Sequence, residues 1–202
     1  MKNACYVIVV FFFSAVAGFS ACNNGNPKST SANDSDSTRF GGYASQEELG
    51  EHLVLIAGCH DCHTPKKMTA QGPEPDFALA LSGHPSKMPA PEVDRKEMES
   101  KGLAVTQTLT SWVGPWGVSY AANLTSDATG IGEWEESNFM TAIRKGKHKG
   151  TETERTILPP MPWQMISNMT DDELKAVFAY LKSTKPINNI VPEPLPPVTA
   201  GR

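Results

Sequence analysis

The 202-residue chain lacks most of what several common kinds of site require. It holds four cysteines, and only Cys59 and Cys62 stand close together, so no second pair completes a zinc site. No strand-rich βαβ pattern surrounds that pair, which argues against a thioredoxin-like dithiol. No internal repeat is present. Positive charge is not in surplus: 18 Lys and Arg face 22 Asp and Glu, a formal charge of −4, so a nucleic-acid partner has no electrostatic support. The apolar run from Tyr6 to Val16 is too short to span a bilayer comfortably.

That run follows Met1-Lys2 and leads to small residues at Ala21-Cys22, the make-up of an export signal. Phe19-Ser20-Ala21-Cys22 resembles a bacterial lipoprotein signal, in which Cys22 is lipidated and becomes the mature N-terminus. Cysteine counting agrees: Cys5 falls in the signal and Cys59 and Cys62 in one motif, which leaves Cys22 as an odd exported thiol. The alternative is simple secretion, with Cys22 a spare residue of a longer signal. Removing the residues before Cys22 takes away only Lys2 among charged side chains, so the charge moves to −5. The expected organisation is a signal over 1–21, a flexible polar tether over 22–43, one domain over 44–190 and a proline-rich tail over 191–202. Val191-Pro192-Glu193-Pro194-Leu195-Pro196-Pro197 should be extended and lie as a strap over its own domain.

What the sequence does carry is Cys59-His60-Asp61-Cys62-His63, a C-x-x-C-H motif. Its spacing suits covalent attachment of a c-type haem: two thiols on one helical turn form thioethers, and His63 is held beneath the iron as an axial ligand. An exported C-x-x-C without haem would be a disulfide, which gives no reason for the adjoining His63. Ser45 and Glu48 form a capping-box pattern, and Leu49, Leu53 and Ile56 at helical spacing predict a helix running into Cys59, ended by Thr64-Pro65. A second helix is predicted over Glu135–Lys145, with Phe139 and Ile143 buried and Gly146 as its stop. A third follows Thr170 and Glu173, with Leu174, Val177, Phe178 and Leu181 as its apolar stripe. Between Met68 and Ser119 the chain reads as irregular, interrupted by Pro73, Pro75, Pro85, Pro89, Pro91 and Pro115.

For the second axial ligand the sequence offers Met161, in the stiff segment Leu158-Pro159-Pro160-Met161-Pro162-Trp163. Flanking prolines reduce the entropy lost in presenting the thioether, and methionine opposite histidine raises the reduction potential. Met140, Met165 and Met169 read as core residues, Met68 lies too near His63 to cross the haem, and Met88 is a weak rival. His84 or His148 would give a bis-histidine site, but both read as solvent-facing or hydrogen-bonded loop residues. His60 is expected to be partly exposed and His52 a plain helix residue. Trp112, Trp116, Trp134 and Trp163 either line the haem or simply pack, with Trp163 the first choice. Lys66 with Lys67, and Arg144, Lys145, Lys147 and Lys149, are either steering charges for an acidic partner or solvated surface.

Together these residues resemble class I c-type cytochromes. Gly58-Cys59-His60-Asp61-Cys62-His63-Thr64-Pro65 looks like the family's haem segment. Ala122-Asn123-Leu124-Thr125 through Thr129-Gly130-Ile131-Gly132-Glu133-Trp134 is similar to a segment in cytochrome subunits of membrane-bound alcohol and gluconate dehydrogenases, as are Leu158 to Trp163 and Met169 to Leu181. Those subunits typically carry three haem motifs, and this chain has one. The resemblance implies an all-α class I cytochrome c fold: a few helices around one covalent haem c, with a long proline-rich loop insertion. It implies Cys59 and Cys62 as attachment sites, with His63 and Met161 as axial ligands to the iron. The expected protein is an exported, lipid-anchored electron carrier on the periplasmic side of a bacterial membrane. It would exchange electrons with a redox donor and acceptor, bind the membrane through Cys22, and perform no catalysis of its own. The rival is a haem enzyme or sensor whose open axial site handles peroxide or a gas.

Overall fold

Ser45 starts the first helix as its pattern predicts: its hydroxyl accepts from the Glu48 N–H at 3.2 Å, and Gln46–Ile56 is helical (α1). The Glu48 carboxylate reaches one residue further back than a capping box requires, to the Ala44 N–H at 3.0 Å. The computed structural model describes residues 40–198, which belong to one compact unit, and none of its helices is long and apolar enough to cross a membrane. The expected signal and lipidation site lie outside the described residues, as do nearly all of the tether and the last residues of the tail.

α1 does not run on into Cys59. It stops at Ile56, and Gly58 stands at φ 68° before a separate short helix, Cys59–His63 (α2). A side-chain-bearing residue in that left-handed conformation costs about 1–2 kcal/mol, which glycine avoids. Thr64 ends α2 in extended conformation ahead of Pro65. There follow a hairpin of β1 (Lys66–Thr69) and β2 (Gly72–Pro75), α3 (Arg95–Lys101), and the strands β3 (Val105–Thr106), β4 (Ser111–Gly114) and β5 (Gly117–Tyr120). Three helices complete the domain: α4 (Glu136–Lys145), α5 (Trp163–Ile166) and α6 (Asp171–Ser183).

The expected all-α class is therefore corrected: the described residues combine helices with two small antiparallel sheets, β1–β2 and β3–β4–β5. The stretch read as irregular holds almost all the strand residues. Pro73 and Pro75 belong to a two-stranded ribbon, in which every strand is an edge and a missing N–H is tolerated. Pro115 sits in the turn closed by Gly114 and Gly117, where proline favours the bend.

The core joins α1, α4 and α6. Leu53 and Val54, Phe139 and Ile143, and Leu174, Val177 and Leu181 are buried together with Leu81, Ile131 and Ile166. The Phe139 and Phe178 rings stand 5.4 Å apart. Ile56, expected in the buried stripe, is 63% exposed, and Val54 takes its place. The tail lies against the domain: Leu195 and Val118 exchange backbone hydrogen bonds at 2.8 and 3.0 Å, and the Val198 N–H meets the Glu99 carboxylate at 2.9 Å.

One histidine belongs to the packing. His84 is fully buried, with Nε2–H donating to the Met88 carbonyl at 2.8 Å and Nδ1 paired with the Thr110 hydroxyl at 2.9 Å. Burial holds its pKa below the ordinary 6.5, so the folded protein keeps it neutral while the unfolded chain binds a proton. Stability is then full above about pH 6.5 and is lost as the pH falls below it. The thermal midpoint should drop between pH 7 and pH 5, and His84→Gln should flatten that slope; an unaltered slope would contradict the assignment.

Candidate functional site

α2 places both thiols of the motif on one helical turn, and Cys59 and Cys62 are free. Cys59 packs against the hydrophobic core, and burial pushes its thiol up to about 11; burial also raises Cys62. His63 is 8% exposed, and burial lowers its pKa. Its Nδ1 lies 2.8 Å from the Ala122 carbonyl oxygen, and a carbonyl only accepts, so the proton is on Nδ1. Nε2 then carries the lone pair and is the ring nitrogen left to act as a donor to a ligand. Two free thiols on one turn beside a histidine with Nε2 available form the donor set that a c-type haem needs. A bare-ion site has no support: among the described residues no three His, Cys, Asp or Glu side chains cluster to hold a metal.

The Met161 segment is non-helical, as its prolines predict, and is anchored at several points. The Ile157 N–H donates to the Gly146 carbonyl at 2.7 Å, and the Ser119 hydroxyl donates to the Pro159 carbonyl at 2.6 Å. Trp163 begins α5 with its ring packed over Gly146, where a Cβ would fall 2.4 Å from the indole. Met161 is half-buried against the same core cluster that Cys59 touches. Cys59, Cys62 and His63 thus share one turn, and Met161 comes from a separate segment that packs against the same core cluster as Cys59.

The other expected candidates are used elsewhere. Both ring nitrogens of His84 are hydrogen-bonded, so it has no lone pair for iron and no solvent-facing role. His148 pairs with Glu154 at 3.5 Å, and His60 with the Thr64 hydroxyl at 2.9 Å. Met68 is 74% exposed on the β1–β2 ribbon, and Met165 is 61% exposed rather than core. Trp112 is buried in β4, and the Trp116 indole is tied to Ser119 at 3.0 Å. Lys66 is no free steering charge: its ammonium caps α2, donating to the carbonyls of Asp61 at 2.9 Å and Thr64 at 2.6 Å. Arg144 pairs with Asp171, Lys145 with Glu152, and Lys147 with the Glu154 carbonyl.

Several residues around the motif make contacts that the sequence did not assign to them. Thr64 is fully buried, and its hydroxyl accepts from the Leu81 N–H at 3.0 Å. Leu81 is itself buried at φ 61°, and its carbonyl accepts from the Leu124 N–H at 2.8 Å. Asn123 lies beside the carbonyl that holds His63, and its amide donates to the Ile187 carbonyl at 2.9 Å. Asn189 continues the connection to the carbonyls of Ser82 and His84 at 2.7 and 2.9 Å. The segment from Thr129 to Trp134 is held by Lys182, which donates to the Gly132 and Trp134 carbonyls. Gly130 and Gly132 are needed there, because a Cβ at either would come within 2.5 Å of a backbone oxygen.

Residues 116–185 match the cytochrome c family model, a stretch that contains Met161 and α6 and begins after the C-x-x-C-H motif. The chain is 34% identical over 79 residues to a subunit of the nicotinate dehydrogenase of Pseudomonas putida, covering 39% of this chain and 6% of that protein. It is 36% identical over 67 residues to the gluconate 2-dehydrogenase cytochrome c subunit of Pantoea cypripedii, 33% of this chain and 14% of the relative. It is 33% identical over 140 residues to the cytochrome c subunit of the quinone alcohol dehydrogenase of Gluconobacter oxydans, 68% of this chain and 21% of the relative. The chain spans about a fifth or less of the length of these relatives. Residues 116–185 thus match a cytochrome c domain, and the chain is similar to the cytochrome c subunits of dehydrogenases. Such a domain implies a covalently bound haem c with its iron.

Proposed function

We propose that this is an exported, lipid-anchored monohaem c-type cytochrome that passes single electrons from a dehydrogenase or respiratory donor to a downstream acceptor. Its domain is 44–190, its haem is attached through Cys59 and Cys62, and its iron is bound by His63 and Met161. Cys22 carries the lipid and holds the domain at the periplasmic side of a bacterial membrane. The observation that carries the reading is the Nδ1–H of His63 on the Ala122 carbonyl, 2.8 Å away, which leaves Nε2 as the free donor beside two free thiols.

When bound, the haem supplies a ferric–ferrous couple and so the one-electron chemistry. The chain's own residues orient and enclose it. Ala122 fixes the His63 tautomer, Lys66 closes the end of α2, and the proline-flanked segment offers the Met161 thioether with little conformational freedom to lose. The relatives named as dehydrogenase subunits support a redox protein as donor. The relatives named as cytochrome c subunits support a carrier rather than an enzyme.

Carbon monoxide tests this against the open-site rival. A closed His63–Met161 iron in the ferrous protein should bind the gas weakly and slowly, and Met161→Ala should bind it readily while keeping its covalent haem. Ready binding by the unaltered protein would overturn the carrier reading in favour of a haem enzyme or sensor.

A further inference from the structure

We infer that Ser119 is a positioning residue for the Met161 thioether: from β5 its hydroxyl holds the Pro159 carbonyl and so sets where the methionine segment stands relative to His63. The inference rests on the proposed ligation by Met161.

Ser119 is 5% exposed, and its hydroxyl has two partners. The Trp116 indole N–H, which can only donate, meets Oγ at 3.0 Å. That leaves the hydroxyl hydrogen for the Pro159 carbonyl, 2.6 Å away. The direction of both bonds is therefore fixed. Pro159 and Pro160 have no N–H, so at these positions the segment has no backbone donor with which to fasten itself to the domain. At these two positions the backbone offers only carbonyls, and Ser119 takes that of Pro159, two residues before Met161.

The same stretch of chain also holds the other ligand. Three residues beyond Ser119, the Ala122 carbonyl accepts the His63 Nδ1–H at 2.8 Å. Three residues of extended chain span about 10 Å, so the two anchors are close and share one support. That support is secured on both edges. β4 pairs with β5 on one side, Ser111 with Tyr120 and Val113 with Val118, and Leu195 of the tail bonds Val118 on the other. Losing the Ser119 hydroxyl should let the methionine segment leave its place more often while the histidine side stays fixed. An external ligand would then compete for iron in proportion to the population in which the thioether is away.

The test is displacement of the thioether by imidazole, followed through the near-infrared iron–sulfur band of the oxidised holoprotein. Ser119→Ala should lower the apparent imidazole dissociation constant about fivefold, from the ordinary net worth of one hydrogen bond. Ser119→Thr, which keeps the hydroxyl, should restore it. Ser126→Ala is the control: its hydroxyl also donates to a backbone carbonyl at 2.6 Å, that of Thr184, away from the methionine segment. It should lower the thermal midpoint as Ser119→Ala does and leave the imidazole constant unchanged. Equal imidazole constants for the native protein and Ser119→Ala would overturn the inference alone, as would an equal fall in Ser126→Ala. Absence of the band from the native protein would overturn the Met161 ligation and the inference with it.

Discussion

Protein carrying Cys59→Ala together with Cys62→Ala, produced alongside c-type maturation machinery, should contain no haem that survives denaturation, whereas the native protein should retain all of it. Both attachment bonds are removed at once, so the loss is complete rather than graded. Each single variant keeps one thioether and should retain a reduced yield. Haem staining of a denaturing gel reads the result. Covalent haem persisting in the double variant would show that attachment lies elsewhere.

Gly50→Ala should cost about 3 kcal/mol of stability, at the upper end of what overpacking usually does. Gly50 lies where α1 meets α6, and a Cβ there would stand 1.9 Å from the Ala176 carbonyl oxygen and 2.7 Å from the Tyr180 Cβ. The first of these atoms is helix backbone, which cannot move aside as a flexible side chain can. The helices must separate, which loosens the contacts of Leu53 and Val54 with Leu174 and Val177. Because α1 leads through Gly58 into Cys59, the crossing also sets where the motif stands. The thermal midpoint of the holoprotein should fall by roughly 6–12 °C for a domain of this size. A shift within experimental error would contradict the packing described for α1 and α6.

What the sequence revealed, and what it hid, divides by the range of the interactions. The Thr170–Glu173 capping box, the Gly146 stop and the stripe of α6 are local patterns, and each appears where expected. The non-helical Met161 segment follows from proline stiffness in the same way. The failures are long-range. His84 is the hydrogen-bonded loop residue that one reading gave, but its burial was hidden because Thr110, which pairs with it, is 26 residues away, and Ser119 gave no signal because Pro159 is 40 away. The ribbons of the middle stretch were hidden by their prolines, which are compatible with edge strands but do not announce them. Lys66 read as surface charge, since nothing local shows an ammonium turning back onto the carbonyls of α2. Gly58 alone carried a local cue that went unread, a glycine placed where a helix must be broken to begin another.

The central claim is that His63 and Met161 close an iron held by Cys59 and Cys62. The visible and near-infrared spectrum of the oxidised holoprotein tests it most directly. A low-spin spectrum with an iron–thioether charge-transfer band is expected; a high-spin spectrum without that band would contradict the ligation and point to an open coordination site.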